Sequence, residues 1–472
     1  AEDGIRHLVR SRGLGDVYKR QPYYLNLSPN YDVTYTFRDA SKRGIVHGLE
    51  TRHLSEFSSS EINTAYLSDD NQDQNILVYS DLKRERWSLY LNHDGDWPSG
   101  WTTSLSYNAV SDIDYLDDIG GIRGSAPNHI RLTPISTTNG TPSLMRTAEL
   151  GYTSNLWSTN ILARRHQNLT RNGIEQYAIL PQLNLQFVEK IFPFDMVFKG
   201  QFSRFSKTSN ELTMDLPIRA DRYVIDSNIR LPIEKTWGFI NSEVGALFRN
   251  YKLHSGPEKE VTKYDFKAPY ASIDTALSFE RPFSYKKRNY LQTLVPRVYL
   301  LYVKKDHEPT LPRFDSGPYT PSFSNIFRRD QFSGYDELRG IRRISIGVTT
   351  AFFRRNSGKE FFKASIGQIK YLDNQDSFLP SEIRKTLSKS SPIFVQSRLQ
   401  FTRFNVNASY EWDSKKSQTN QISLSARYKG RNPSKVFNLS YTHTKDRLNG
   451  LGRFQNSKET NVSFFWPIKD KW

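Results

Sequence analysis

At 472 residues the chain is long enough for two or three ordinary domains or for one large barrel. A hydrophobic fraction of 37% and a mean hydropathy of −0.65 exclude a bundle of membrane helices, and no run approaches the ~18 apolar residues a spanning helix needs. The absence of cysteine excludes a thiolate nucleophile, a disulfide framework and a Cys-based zinc site, and a net charge of +17 asks for an anionic partner or surface.

The opening residues 1–21, AEDGIRHLVRSRGLGDVYKRQ, lack the apolar segment of a secretory signal and show no strand pattern. They are read as a non-native or disordered leader, so that the fold begins at Pro22. Tyr31, Val33, Tyr35 and Phe37 then alternate with Asp32, Thr34 and Thr36, the first clean strand, preceded by Pro22 and Pro29. Proline cannot donate to a ladder, which places this strand at an edge or a weak seam. Ile62–Leu67, Trp87–His93 and the alternating Trp101, Thr103, Leu105 and Tyr107 continue the run.

From Asn108 to Met145 the period is lost in a loop long enough to suggest function. Strands resume at 149–153, 157–163, 183–187, 194–203, 223–231, 237–248, 271–279 and 294–303. A second long loop, 304–342, holds Pro309, Pro312, Pro318 and Pro321, which bar regular helix. Alternation returns in Ile344, Ile346, Val348, Thr350 and Phe352 and in 361–371, and a third irregular stretch covers 373–391. The reading gives about twenty strands, no convincing helix, and short turns alternating with long loops.

The clearest pattern lies near the C-terminal end. Phe404, Val406, Ala408, Tyr410 and Trp412 alternate with Asn405, Asn407, Ser409, Glu411 and Asp413. Ile422, Leu424, Ala426 and Tyr428 repeat this against Gln421, Ser423, Ser425 and Arg427, and Phe437, Leu439 and Tyr441 repeat it against Asn438, Ser440 and Thr442. Three hairpin-linked strands thus share one sidedness. A soluble sandwich would load its polar side with charge. Here that side is mostly amide and hydroxyl, while rings crowd the other, which favours an all-β, large antiparallel transmembrane barrel with a wet interior.

Several segments from Pro22 to Trp472 resemble one family, the lipopolysaccharide-assembly protein LptD. They are PYYLNLSPNYDVTYTFR at 22–38, SKRG at 41–44, RW at 86–87, LPQL at 180–183, FER at 279–281, QTLVPRVYLLYV at 292–303, LPRFD at 311–315, QFSGYDEL at 331–338, GVTT at 347–350 and GQIKY at 367–371. Each is weak alone; their order and spacing are specific. The resemblance implies a barrel of about twenty-six strands in the Gram-negative outer membrane. It further implies lipopolysaccharide received from a periplasmic bridge through an N-terminal jelly-roll domain, an LptE-like lipoprotein plug in the lumen, and lipid release between the first and last strands. The jelly roll and the family's last strands are missing here, so the chain reads as an incomplete barrel over 22–472. Phe37 stands where the family tends to have a proline.

An amphiphile with several acyl chains and a phosphorylated sugar head needs an exit in the wall and a wet interior. Pro22, Pro29, Tyr31, Val33, Tyr35 and Phe37 are the lateral-gate candidates, and Asn405, Asn407, Glu411, Gln421, Arg427 and Asn438 the lumen-lining ones. Pro22 and Pro29 equally suit a plain strand start. The loop Phe332, Ser333, Gly334, Tyr335 and Asp336 either folds over the lumen, Gly334 allowing the turn, or is a mobile surface loop.

Nucleic acid is not expected, because Lys and Arg are spread through turns such as Lys83–Arg86, Lys286–Arg288 and Lys415–Lys416 without a binding module. Nor are catalysis, a metal or a cofactor. The nine histidines have no HExxH spacing, Ser284–Lys287 matches SxxK without companion motifs, and Gly450-Leu451-Gly452 reads as a turn. A passive porin or receptor-type barrel is the alternative.

Overall fold

The computed structural model describes residues 8–12, 16–40, 43–71, 85–120, 135–138, 141–170, 176–207, 218–255, 260–304, 311–317, 319, 322–337, 340–372, 389–431, 435–448 and 454–466. The chain divides into two compact units, residues 1–187, 199–223 and 250–264 in the first and 188–198, 224–249 and 265–472 in the second. Both are built from antiparallel strands joined mainly in sequence order.

In the first unit the order is β1 (Leu8–Arg12), β2 (Asp16–Ser28), β3 (Tyr31–Ala40), β4 (Gly44–Leu54), β5 (Ser58–Leu67), β6 (Arg86–Trp97) and β7 (Trp101–Val110), then β8 (Ile135–Thr138), β9 (Thr141–Thr153), β10 (Trp157–Asn168) and β11 (Ala178–Ile191). Each strand to β7 pairs with the next, β7 pairs with β9, and β8 is a short hairpin arm on β9. β9, β10 and β11 complete the ladder. Strands β11, β12 (Phe194–Ser206), β13 (Arg219–Lys235), β14 (Gly238–Ser255) and β15 (Glu260–Leu277) contribute residues to both units.

The second unit continues with β16 (Phe279–Tyr285), β17 (Arg288–Val303), β18 (Ile341–Arg354), β19 (Glu360–Tyr371), β20 (Ile393–Gln400), β21 (Phe404–Asp413), β22 (Gln418–Lys429), β23 (Val436–Leu448) and β24 (Phe454–Phe465). β15 and β16 both pair with β17 and act as one long strand interrupted at Ser278. From β17 to β24 every strand pairs with the next.

Connections at 29–30, 55–57, 98–100, 154–156, 192–193, 236–237, 286–287, 355–359, 401–403 and 430–435 are short, and most of those between them are long. The long loops therefore lie at one end of the strands in each unit, but 41–43, 256–259, 414–417 and 449–453 at that end are short as well, so the reading of alternating short and long connections holds in part.

The register also bears out the shared sidedness near the C-terminal end. One row across β20 to β24 reads Gln400, Asn405, Arg427, Asn438 and Ser463, and the next reads Leu399, Val406, Ala426, Leu439 and Val462. Val406, Tyr410, Leu424 and Leu439 are not buried under a further layer. Where the strands differ from expectation, backbone pairing outran side-chain pattern. β1 and β2 form before Pro22 although residues 1–21 show no sided pattern, since ladder bonds need only backbone groups. β4 was missed because GIVHGLETRHL mixes glycine and charge. Residues 108–145, expected to be irregular, contain the end of β7, a one-turn helix α1 (Tyr115–Asp118) and the β8–β9 hairpin.

Candidate functional site: a polar face covered at the long-loop end

The two faces of the strands have opposite exposures to those of a water-soluble protein. The largest fully buried side chains include Arg86, Arg222 and Arg343, while Ile346 is 53% exposed, Ile366 50% and Val244 65%. Burying a guanidinium and exposing an isoleucine both cost free energy in water. The cost disappears if the isoleucine side meets an apolar solvent and the guanidinium side meets polar groups. Ring clusters stand beside the short turns. Tyr152 lies 5.0 Å from Trp101 and 4.9 Å from Trp157, and Tyr290 lies 5.3 Å from Phe283 and 5.5 Å from Phe361. That is the position of an interfacial aromatic belt.

In the second unit, part of the loop between β17 and β18 covers the polar face at the long-loop end. Gly347 and Gly367 are register partners on β18 and β19. A Cβ on Gly347 would lie 2.7 Å from the Phe323 ring and 2.8 Å from that of Phe327, and one on Gly367 would lie 2.7 Å from Ile326. The missing side chains form a slot filled by the 3-10 turn Ser324–Phe327 and the preceding Phe323. Around it Ile326 and Phe327 pack with Tyr270, Tyr299, Leu301, Ile341, Ile369 and Phe394.

Polar contacts fix the same segment. Arg329 forms a two-pronged ion pair with Asp226 of β13, at 3.0 and 2.6 Å, and lies 4.3 Å above the Tyr270 ring. Burial alone would lower the Arg329 pKa; the bonds to Asp226 and the nearby Asp330 raise it above its ordinary value, so the charge persists. Arg249 donates to the carbonyls of Tyr335 (2.7 Å) and Asp336 (3.0 Å). The Asp336 carboxylate accepts the N–H groups of Phe314 (2.8 Å), Asp315 (2.9 Å) and Ser316 (3.2 Å), and Gly334 takes the left-handed φ of +67°. Phe332, Ser333, Gly334, Tyr335 and Asp336 thus belong to a docked segment, with Phe332 and Asp336 buried.

The first unit covers its polar face differently. Arg86, fully buried at the start of β6, donates to Asp112 at 3.0 and 2.7 Å, to Asp70 at 2.9 Å and to Asp118 at 2.8 Å. Arg43 joins Asp70 and Asp118, both at 3.0 Å. This network ties residues 111–120 to the strand ends and seats buried Tyr115 among Val46, Leu67, Tyr90 and Leu144. Burial pushes the Asp112 carboxyl up, but bonds from Arg86 and Ser111 outweigh it and hold the group below the usual carboxylate range. Burial raises the Tyr115 hydroxyl.

The gate candidates are brought together, though not at a border of β3. Tyr31, Val33, Tyr35 and Phe37 have register partners on both β2 and β4. Pro22 sits within β2 opposite Thr36, and Pro29 occupies the two-residue turn. β1 pairs only with residues 16–20 of β2. Among the described residues, β2 from Gln21 to Ser28 has a ladder partner on the β3 side alone, with Tyr23, Tyr24, Leu25 and Leu27 exposed. β3 itself is therefore an interior strand, paired on both sides.

Of the lumen candidates, Asn405, Arg427 and Asn438 share one cross-strand row. Asn407 donates to Ser425 (3.4 Å), Asn438 to Ser463 (3.1 Å), and Glu411, the register partner of Gln421, accepts from Asn420 (3.0 Å). Ser284 donates to Asn289 (2.7 Å) beside the turn 286–287, where its SxxK match is part of a hairpin. Sequence reading missed Arg86, Asp112, Asp226, Arg249 and Arg329, whose partners lie far away along the chain.

Antiparallel strands with an exposed apolar face, a polar face covered at the long-loop end and rings beside the short turns define the class of outer-membrane β-barrel proteins. The model of the family LptD, LPS transport system D, matches residues 84–472, and the chain belongs to that family. It is similar to the LPS-assembly protein LptD of Hahella chejuensis (27% identity, 95% of this chain and 54% of the relative). The same holds for those of Saccharophagus degradans (29%, 98% and 56%) and Pseudomonas aeruginosa LESB58 (27%, 96% and 53%). The chain spans about half the length of these curated relatives. Among solved structures, OccK11 of Pseudomonas aeruginosa aligns over 95% of this chain and 92% of its own at 9% identity and a TM-score of 0.28.

Proposed function

We propose that this chain is the barrel portion, residues 22–472, of an outer-membrane protein that inserts lipopolysaccharide into the outer leaflet. The saccharide head would travel along the polar face while the acyl chains leave sideways at a weak seam. The observation that carries the reading is the inverted exposure, with buried arginines on one face and half-exposed isoleucines on the other. Family membership supports the cargo.

The seam in this reading is the side of β2 from Gln21 to Ser28, where Pro22 removes one ladder donor. An LptE-like lipoprotein would sit against the polar face, and a periplasmic bridge would deliver lipid through a further domain of the whole protein. The docked segments 111–120 and 322–337 would close the long-loop end of that face. None of these steps calls for covalent chemistry.

Photocrosslinkers at Tyr23, Leu25 and Leu27, compared with Trp237 as a control, test the gate in cells making lipopolysaccharide. The expected result is a lipopolysaccharide adduct at the β2 positions and none at Trp237. Equal labelling everywhere, together with small-solute conductance by the purified protein, would support a passive porin or receptor barrel instead.

A further inference from the structure

The short turns that follow β16, β18, β20 and β22 lie side by side at one end of the second unit's strands, since β17 pairs with β18, β19 with β20 and β21 with β22. With one flanking residue on either side they read YKKR, RRNSGKE, QFTRF and KGRNPSKV, ten Lys and Arg against one acid, Glu360. The first unit's turns at 29–30, 55–57, 98–100 and 154–156, framed in the same way, hold Glu56 and no cation. Backbone bonds tie neighbouring basic turns together: the Arg355 N–H donates to the Asn289 carbonyl (3.0 Å), and that of Lys429 to the Arg403 carbonyl (2.8 Å). Most of the ten cations are exposed, and among the described residues none makes an ion pair. Crowded like charges with no acid to offset them call for an anionic surface.

Behind the cations runs a row of rings. Phe283 and Tyr290 are 5.3 Å apart, Tyr290 and Phe361 5.5 Å, Phe361 and Phe401 6.4 Å, and Phe404 and Tyr428 4.9 Å. Such rings mark the depth at which hydrocarbon gives way to headgroups. Each of the ten cations stands within three residues of a Phe or Tyr along the chain. At ~3.3 Å per residue that is a reach of at most roughly 10 Å, comparable with the headgroup layer of about 5–8 Å on each side of the hydrocarbon. The turn 286–287 adds a second observation. Lys286 and Lys287 both take left-handed angles, φ +47° and +62°, the pair that a two-residue type I′ hairpin needs and Asn-Gly adopts with least strain. Lysine at both places costs backbone energy and sets two ammonium groups at the tip, which folding alone does not call for.

We propose that this end of the second unit binds the phosphates of anionic phospholipids in the leaflet that its turns meet. A bilayer lipid fits better than an acidic protein, because the cations are strung along a ring belt at headgroup depth. These contacts require only that the strands cross a bilayer, whatever the cargo.

The test uses the whole protein in phosphatidylcholine bilayers, with spin-labelled phosphatidylglycerol and phosphatidylcholine as probes and the motionally restricted fraction of each as the readout. Phosphatidylglycerol is expected to be preferred about four-fold, and the preference should shrink at about 0.5 M salt. In Lys286→Asn/Lys287→Gly/Arg355→Gln/Arg403→Gln it should fall to about two-fold, and the Asn-Gly turn favours folding of that variant. Lys415→Gln/Lys416→Gln, at the opposite end of the strands, should keep the full preference. No preference in the unmutated protein overturns the proposal without any variant and would leave the turns to an acidic protein partner. A preference that survives high salt, persists in the four-site variant or falls equally in both variants overturns it too.

Discussion

The two covered patches solve the same problem with different physics. In the first unit residues 111–120 are held by charge, two arginines threaded among Asp70, Asp112 and Asp118. In the second unit residues 322–337 are seated in a slot formed by Gly347 and Gly367, with the ion pair Arg329–Asp226 at its side and Arg249 on the Tyr335 and Asp336 carbonyls. A charge network tolerates small displacements and fails when a charge is lost. A packed slot tolerates loss of a charge better than it tolerates an added methyl group.

The largest effect on that contrast is expected from Arg86→Ala. It leaves Asp112 without its guanidinium and Arg43 alone against Asp70 and Asp118, and should cost about 3–5 kcal/mol, by analogy with other broken buried pairs. Proteolysis should then cut within 111–120 while 322–337 stays protected. Protection of both would mean that Tyr115 and its apolar neighbours hold the first patch. Next comes Arg329→Leu, which strands Asp226 and should cost about 3 kcal/mol, partly recovered in the Arg329→Leu/Asp226→Leu double variant. A double variant no better than the single one would show that the pair is not coupled.

Gly347→Ala should cost about 1–3 kcal/mol by overpacking, and shrinking Phe327 in the same chain should recover part of it. An unchanged thermal transition for Gly347→Ala would remove the shape account. Acidification gives the smallest effect and acts on the charge patch. The folded Asp112 pKa is depressed, so its stabilising contribution is present above the unfolded carboxylate value of about 3.9 and is lost as pH falls through the lower folded value. Amide exchange at 111–120 should rise over that window. A rise confined to 322–337 would contradict it.

Much of the strand plan was legible from side-chain alternation, because each of the rows beginning at Asn405 and Val406 is continued across the next strands by the register itself. β4 and the β1–β2 hairpin were not, since glycine and charge blur a period of two while leaving the ladder intact. The docked segments were harder still. Nothing local says that Arg329 will meet Asp226, 103 residues away. One signal was available: the segments GVTT and GQIKY both begin with the glycines that prove to be register partners. Two glycines inside otherwise bulky strands mark a close approach.

The paired glycines also bear on how the protein is assembled. The slot does not exist in either strand alone; it forms only when β18 and β19 meet with residue 347 opposite 367. A slip of one residue in either strand would replace a glycine there with a branched neighbour such as Ile346 or Ile366 and turn the other face inward. Seating of Phe323 and Phe327 therefore requires that alignment, from twenty residues or more away along the chain.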